Sequence, residues 1–224
     1  MRLELVTICS HSPTRLATNP KVRQAPRLQR VLLPLAFLPS TLQAASYFMP
    51  VDKITEPTPE RYTVCFNHSC ATVVTDSLSQ DEWGKVTQPL HNPSATAAEE
   101  RLAIARSIAS FEDIVGRHTG TYRDKGRNLP GFGQPGQLDC IDESTNTTTY
   151  LRLLERGGLL HHHRVLERST RFGLFIGMPH TTAVIEETGT GDRYAVDSWF
   201  LDNGQPPYIA RLDIWKAGGE PPND

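Results

Sequence analysis

His180-Thr181-Thr182-Ala183-Val184-Ile185-Glu186, then Thr188-Gly189-Thr190-Gly191-Asp192, then Arg193-Tyr194-Ala195-Val196-Asp197-Ser198-Trp199 form two β-favouring runs around a short glycine-containing loop. That pattern reads as two antiparallel strands of a hairpin. Upstream, His162–Arg168 reads as a further strand, and a helix starts at Asp139-Cys140 and ends at Gly157-Gly158. Ser144, Thr145, Asn146, Thr147, Thr148 and Thr149 give this helix weak intrinsic propensity. It must be held by packing through Tyr150, Leu151 and Leu154. Thr96 to Val115 is a stronger helix: Thr96 and Glu99 make a capping box, Ile104, Ile108, Phe111 and Val115 form one apolar stripe, and Gly116 is a suitable stop. Ser79–Glu82 opens a short helix carrying Trp83, and Pro89 and Pro93 mark a loop. Arg61–Cys65 and Ala71–Asp76 pair as an N-terminal hairpin (61–76), and Tyr208–Trp215 closes a core spanning 96–215. Helices that precede an antiparallel sheet indicate an α+β fold rather than a doubly wound parallel sheet.

The chain has 224 residues, 38% of them hydrophobic and 21% charged, enough for one cored domain with a small appendage. No apolar run reaches the roughly 18 residues of a membrane span. Charge is uneven. Of 23 basic and 25 acidic residues, six basic and one acidic lie within residues 1–44, which leaves a net charge of −7 downstream. The basic cluster ends at Arg30. The apolar run Val31–Pro39 and the small-residue zone Ser40–Ser46 come after it, in the order of a secretory signal. We therefore expect residues 1–45 to be an N-terminal extension and signal, with translation starting near Val22 or Leu28. Residues 46–224 form one domain, periplasmic or secreted, with no stable membrane insertion once the signal is cleaved. The acidic remainder has no basic patch with interleaved aromatics, so no nucleic-acid partner is expected.

Export changes how the cysteines read. Cys9 falls in the leader, Cys65 and Cys70 suit a disulfide across the hairpin, and Cys140 is left over. No metal site is expected. Cys65 and Cys70 lack a second pair, and the successive residues of His161-His162-His163 point to opposite faces of a strand. A zinc site built from Cys140, His180 and a carboxylate is a minor alternative. Gly131-Phe132-Gly133-Gln134-Pro135-Gly136 lacks the preceding strand and the Lys-Ser/Thr pair of a nucleotide loop.

Cys140 opens a helix, where unpaired N–H groups and the helix dipole favour a thiolate, although Asp139, Asp142 and Glu143 oppose it. The hairpin brings His180 within about one to three positions of Asp197 across the ladder, where side chains on one face can meet. An imidazole oriented by a carboxylate can then serve the thiol.

The order of Cys on a helix, His on a strand and Asp on the next strand resembles the transglutaminase-like branch of the papain-like cysteine enzymes. In particular it resembles the exported bacterial transglutaminase-like cysteine proteinases. The matching stretches are Gly136-Gln137-Leu138-Asp139-Cys140-Ile141-Asp142-Glu143, Pro179-His180-Thr181-Thr182-Ala183-Val184 and Tyr194-Ala195-Val196-Asp197, and the likeness covers about residues 99–200. It departs from the family in having Asp139 directly before Cys140 and in the Asn146–Thr149 run. Asp202, in Leu201-Asp202-Asn203, is a second candidate for the carboxylate, with Asp197 preferred because it sits on the strand. The resemblance implies a papain-like core in which Cys140 attacks an acyl carbonyl, His180 transfers the proton and Asp197 orients His180. The oxyanion would be held by the Cys140 N–H with Gln134 or Gln137. The implied substrate is a protein or peptide amide and no cofactor is needed. A non-catalytic periplasmic binding or structural module of the same fold is the alternative.

Overall fold

The computed structural model describes residues 55–128, 133–172 and 179–222. All of them belong to the compact unit Ser46–Asp224. The basic cluster, apolar run and small-residue zone before residue 46, and Gly131-Phe132, lie outside the described residues.

The fold is α+β. Strands β1 (Tyr62–Phe66) and β2 (Thr72–Asp76) form a separate two-stranded antiparallel hairpin. Helices α1 (Gln80–Thr87) and α2 (Ala97–Thr119) come next, then α3 (Cys140–Arg156). Four strands come last, β3 (His163–Phe172), β4 (Pro179–Glu187), β5 (Arg193–Asp197) and β6 (Tyr208–Arg211), and pair antiparallel in sequence order. The short α4 (Leu212–Lys216) ends the fold.

The expected Thr96–Glu99 capping box forms on α2, and Ser79 with Glu82 on α1 and Asp139 with Asp142 on α3 form two more. The region around Pro89 is not an open loop but a 3₁₀ turn, Gln88–Leu90, whose first turn tolerates a proline because its N–H would lack a partner anyway. Helix α2 does not stop at Gly116. It runs one turn further to Gly120, whose φ of 84° makes it the left-handed cap. Gly116 serves packing instead, because a Cβ there would lie 3.1 Å from the Tyr122 backbone. The last element divides into β6 and α4.

The apolar stripe of α2 behaves as the spacing requires: Ile104, Ile108, Phe111 and Val115 are all buried. Phe111 stacks on Tyr150 of α3 at 4.6 Å between ring centres, and Trp83 of α1 meets Phe111 edge-on at 6.2 Å. Val165, Ala183, Ile185 and Val196 of the sheet close this core from the other side. Ser144 to Thr149 are buried as well, so tertiary packing holds a helix that propensity would not. Four of the hydroxyls are satisfied locally: Ser144 and Thr145 donate to the Ile141 carbonyl, and Thr148 and Thr149 to the carbonyls of Ser144 and Thr145, one turn back.

The sheet departs from a regular ladder in two places. Leu166 pairs with Val184 and Ser169 with Thr182, so Glu167 and Arg168 together oppose Ala183 in a β-bulge. The β4–β5 ladder begins at Ala183↔Val196, so Pro179–Thr182 extends past the ladder with β5. Truncating Phe111 to alanine should cost about 3–5 kcal/mol in chemical denaturation, because the cavity would lie between three helices that cannot collapse together.

Candidate active site

The register places Asp197 one pair beyond Ala183↔Val196, level with Thr182. His180 lies two residues from Thr182, on the same face of β4. The imidazole accordingly reaches the carboxylate: His180 Nε2 lies 2.7 Å from Asp197 Oδ2. A hydrogen bond to a carboxylate puts the proton on Nε2 and leaves Nδ1 as an acceptor. The ring is walled by Trp199, Phe200 and Trp215, with centroids 4.8, 5.3 and 5.5 Å away.

Asp197 is buried and has a second donor. Trp215 Nε1 donates to the same Oδ2 at 2.7 Å. Trp215 is itself fixed, since its carbonyl accepts from Arg171 Nη1 and that guanidinium lies 4.5 Å over the indole ring. The sequence places Trp215 in the last element but assigns it no role. The available signal is its chemistry: a buried indole N–H needs an acceptor. Asp202 is engaged elsewhere, accepting from Lys125 Nζ at 2.6 Å and from Gly126 N–H at 3.0 Å.

Cys140 is the first residue of α3. Its sulfur sits at the part of β4 that extends past the β5 ladder, at the level of His180: Sγ is 3.9 Å from the Pro179 carbonyl, and the Thr181 N–H acts on it as a donor. Asp139 caps the helix by accepting from Ile141 and Asp142 N–H through Oδ1. These cap bonds leave out the Cys140 N–H. Burial pushes the Cys140 thiol up to about 12; the Asp139 and Asp197 carboxylates push the same way and the Thr181 N–H opposes them. The resting sulfur is therefore a neutral thiol. Arg168, delivered by the β-bulge, adds positive charge over the first turn of α3, where its Nη1 donates to Thr145 Oγ1 and, at 3.4 Å, to the Ile141 carbonyl.

The two glutamines differ. Gln137 is buried and its amide is occupied: Nε2 donates to the Arg123 carbonyl at 3.0 Å, and Oε1 accepts from Lys125 N–H and from Asn128 Nδ2. It braces the chain that enters the helix. Gln134 is exposed, in the turn whose carbonyl accepts from Gln137 N–H. His161 and His162 precede β3; His161 is exposed, whereas His163 opens the strand and is buried against Glu100, Nδ1 to Oε1 at 2.8 Å. Among the described residues, the metal-ligand spacing that occurs is that of Cys65, Cys70 and Asp142, whose two sulfurs are at bonding distance from each other.

No family model, curated protein or solved structure matches the chain.

Four buried carboxyls underlie the start of α3. Burial holds Asp124 up at about 6 and Asp142 and Glu112 at about 7, and with its acidic neighbours it holds Glu143 well above the ordinary range. Among the described residues Glu112 Oε1 has no hydrogen-bond partner, and Glu112 lines a cavity of about 10 Å³ with Glu143, Asn146 and Tyr150. Unfolding returns these groups to pKa values near 4, so above that pH the folded state binds more protons than the unfolded state. Stability then falls as pH rises. Thermal denaturation should show maximal stability near pH 4–5 and a loss of order 2 kcal/mol by pH 7–8, and Glu143→Gln should flatten that slope.

Proposed function

We propose that the protein is an exported, cysteine-dependent acyl-transfer enzyme of the transglutaminase-like branch of the papain-like fold. Its reaction is the hydrolysis of a peptide or isopeptide-type amide. The observation that carries this reading is the His180–Asp197 hydrogen bond, reinforced by Trp215, beside a helix-opening thiol at the end of β4 that extends past β5.

The chemistry follows from the protonation states. With the thiol neutral and the His180 Nε2 proton held by Asp197, the free Nδ1 lone pair acts as general base. It takes the thiol proton as sulfur attacks the carbonyl, then returns it to the leaving amine. Asp197 fixes the tautomer and stabilises the imidazolium that forms. The first N–H of α3 supplies an oxyanion donor, and the helix N-terminus favours the developing negative charge. Water then attacks the thioester and releases the acid. Neither step requires a cofactor.

The raised thiol also favours a second reading, a non-catalytic module that retains the constellation without turnover. The two part on acylation by p-nitrophenyl acetate. The enzyme reading expects acetyl transfer to Cys140, found by peptide mass mapping, with a fall of about 10²–10⁴-fold in His180→Ala. It also expects a fall of at least about tenfold in Asp197→Asn, where the tautomer is no longer fixed. Equal acetylation rates in the parent and His180→Ala would leave the inert module. Trp215→Phe removes one donor from Asp197 while keeping an aromatic ring, and should slow acetylation about tenfold, as expected for a lost hydrogen bond to a charged group.

A further inference from the structure

The tip of the β1–β2 hairpin has an unusual backbone. Asn67, His68, Ser69 and Cys70 have φ of 65°, 65°, 52° and 56°, four consecutive non-glycine residues in the left-handed region. Such residues are individually unfavourable and persist only where surrounding structure holds them. Two things hold these. One is covalent: Cys65 and Cys70 are bonded through sulfur, with Cα atoms 4.8 Å apart. The other is a set of donors. The left-handed turn aims successive N–H groups at α3: His68 and Cys70 N–H each donate to Asp142, both at 2.7 Å, and Ser69 N–H donates to Asp139 at 2.9 Å. Consecutive N–H groups converging in this way form an anion-holding nest.

The acceptors are the two halves of the α3 capping box. Asp139 is the cap, and Asp142 reaches back to the Asp139 N–H at 3.2 Å. Cys140 lies between them. One turn further along, the Asn146 amide closes on β1: Cys65 N–H donates to Asn146 Oδ1 and Asn146 Nδ2 donates to the Cys65 carbonyl, both at 2.8 Å. The Gly136 N–H, on the approach to the helix, donates to Asn67 Oδ1 at 3.2 Å.

We propose that the Cys65–Cys70 loop is a reducible clamp that positions the nucleophile's helix start. The clamp deepens the reading of Cys140 as nucleophile and rests on it. A small dithiol would open the clamp. Its thiolate attacks one sulfur of the loop, the S–S bond breaks through a mixed disulfide, and two electrons pass to Cys65 and Cys70. Both take up protons as thiols, and the reductant closes to its own disulfide. The loop then relaxes toward right-handed backbone, and its N–H groups swing away from Asp139 and Asp142. With the cap weakened, the first turn of α3 frays and the sulfur leaves its place beside Thr181.

Two readouts test this on the full chain. The protein is compared oxidised, reduced with dithiothreitol and desalted, and reoxidised. Amide hydrogen exchange at Ile141, Asp142 and Glu143 should quicken about tenfold on reduction and slow again on reoxidation, as expected when a helix cap is lost. Peptide-resolved iodoacetamide labelling of Cys140 across pH should depend on His180 (parent against His180→Ala) in the oxidised protein and lose that dependence in the reduced one. Unchanged exchange on reduction overturns the clamp, as does a His180 dependence that persists undiminished. If His180→Ala has no effect even when oxidised while exchange still responds, the enzymatic reading fails and the clamp on the helix cap stands. Asp142→Asn, which keeps the disulfide and weakens the acceptor, should reproduce the faster exchange and provides the same test if a Cys65→Ser/Cys70→Ser variant does not fold.

Discussion

A helix of poor intrinsic propensity occupies the centre of this molecule, and its burial has to be made good by hydrogen bonds. Ser144 through Thr149 would prefer turns and caps in isolation. Inside the protein, hydroxyls of this run return to carbonyls one turn back, and Asn146 and Thr147 reach outward to β1 and to Ser198. An apolar helix could slide or rotate against its neighbours at small cost. A buried polar one cannot, because each displaced donor or acceptor would be left unsatisfied in a dry interior. The position of Cys140 is thereby fixed from behind by the body of its helix and from in front by the Asp139–Asp142 cap.

The site works against its own electrostatics. Burial keeps the sulfur protonated, and the Asp139 and Asp197 carboxylates add to that effect. A preformed thiolate is disfavoured in that setting, so the proposed mechanism needs the proton to move in step with attack. The tight hold on the histidine fits that proposed requirement. Its far nitrogen is bound to a carboxylate that is itself bound to an indole, and three aromatic rings restrict the imidazole. A base that acts only during the reaction gains more from fixed orientation than from a shifted resting charge.

Much of this was legible in the residues. The 3.6-residue stripe of α2, both of its capping partners and the hairpin around Gly189–Gly191 follow from local rules, and the structure forms each. The start of α3 at Cys140 could be read because Asp139 is a strong cap. Where reading fell short, a long-range contact decided. Gly116 reads as a stop in isolation, yet the Tyr122 backbone and Asn203 demand a residue without a side chain there, inside the helix. Gln137 has the amide an oxyanion donor needs, but that amide is taken up by the 123–128 segment. Trp215 is silent in sequence, because its role depends on a carboxylate 18 residues away. The left-handed run at Asn67–Cys70 contains no glycine, so only the weak preference of Asn67 and His68 for that backbone hints at it.

Asp142 concentrates the tension in the design. Ionised, it accepts three backbone N–H groups, from His68, Cys70 and Asp139, which is an arrangement that favours the charged form. Burial and the Asp139 charge favour the neutral form and prevail, holding the group near neutrality. The same carboxyl thus supports the clamp best when charged and burdens the interior most when charged. Glu143 and Asp124, joined by a hydrogen bond one residue further on, can relieve part of that burden by keeping a proton between them. A nest of N–H donors and a protonated neighbour are two answers to one problem: holding negative charge beside Cys140 without leaving it uncompensated in the core.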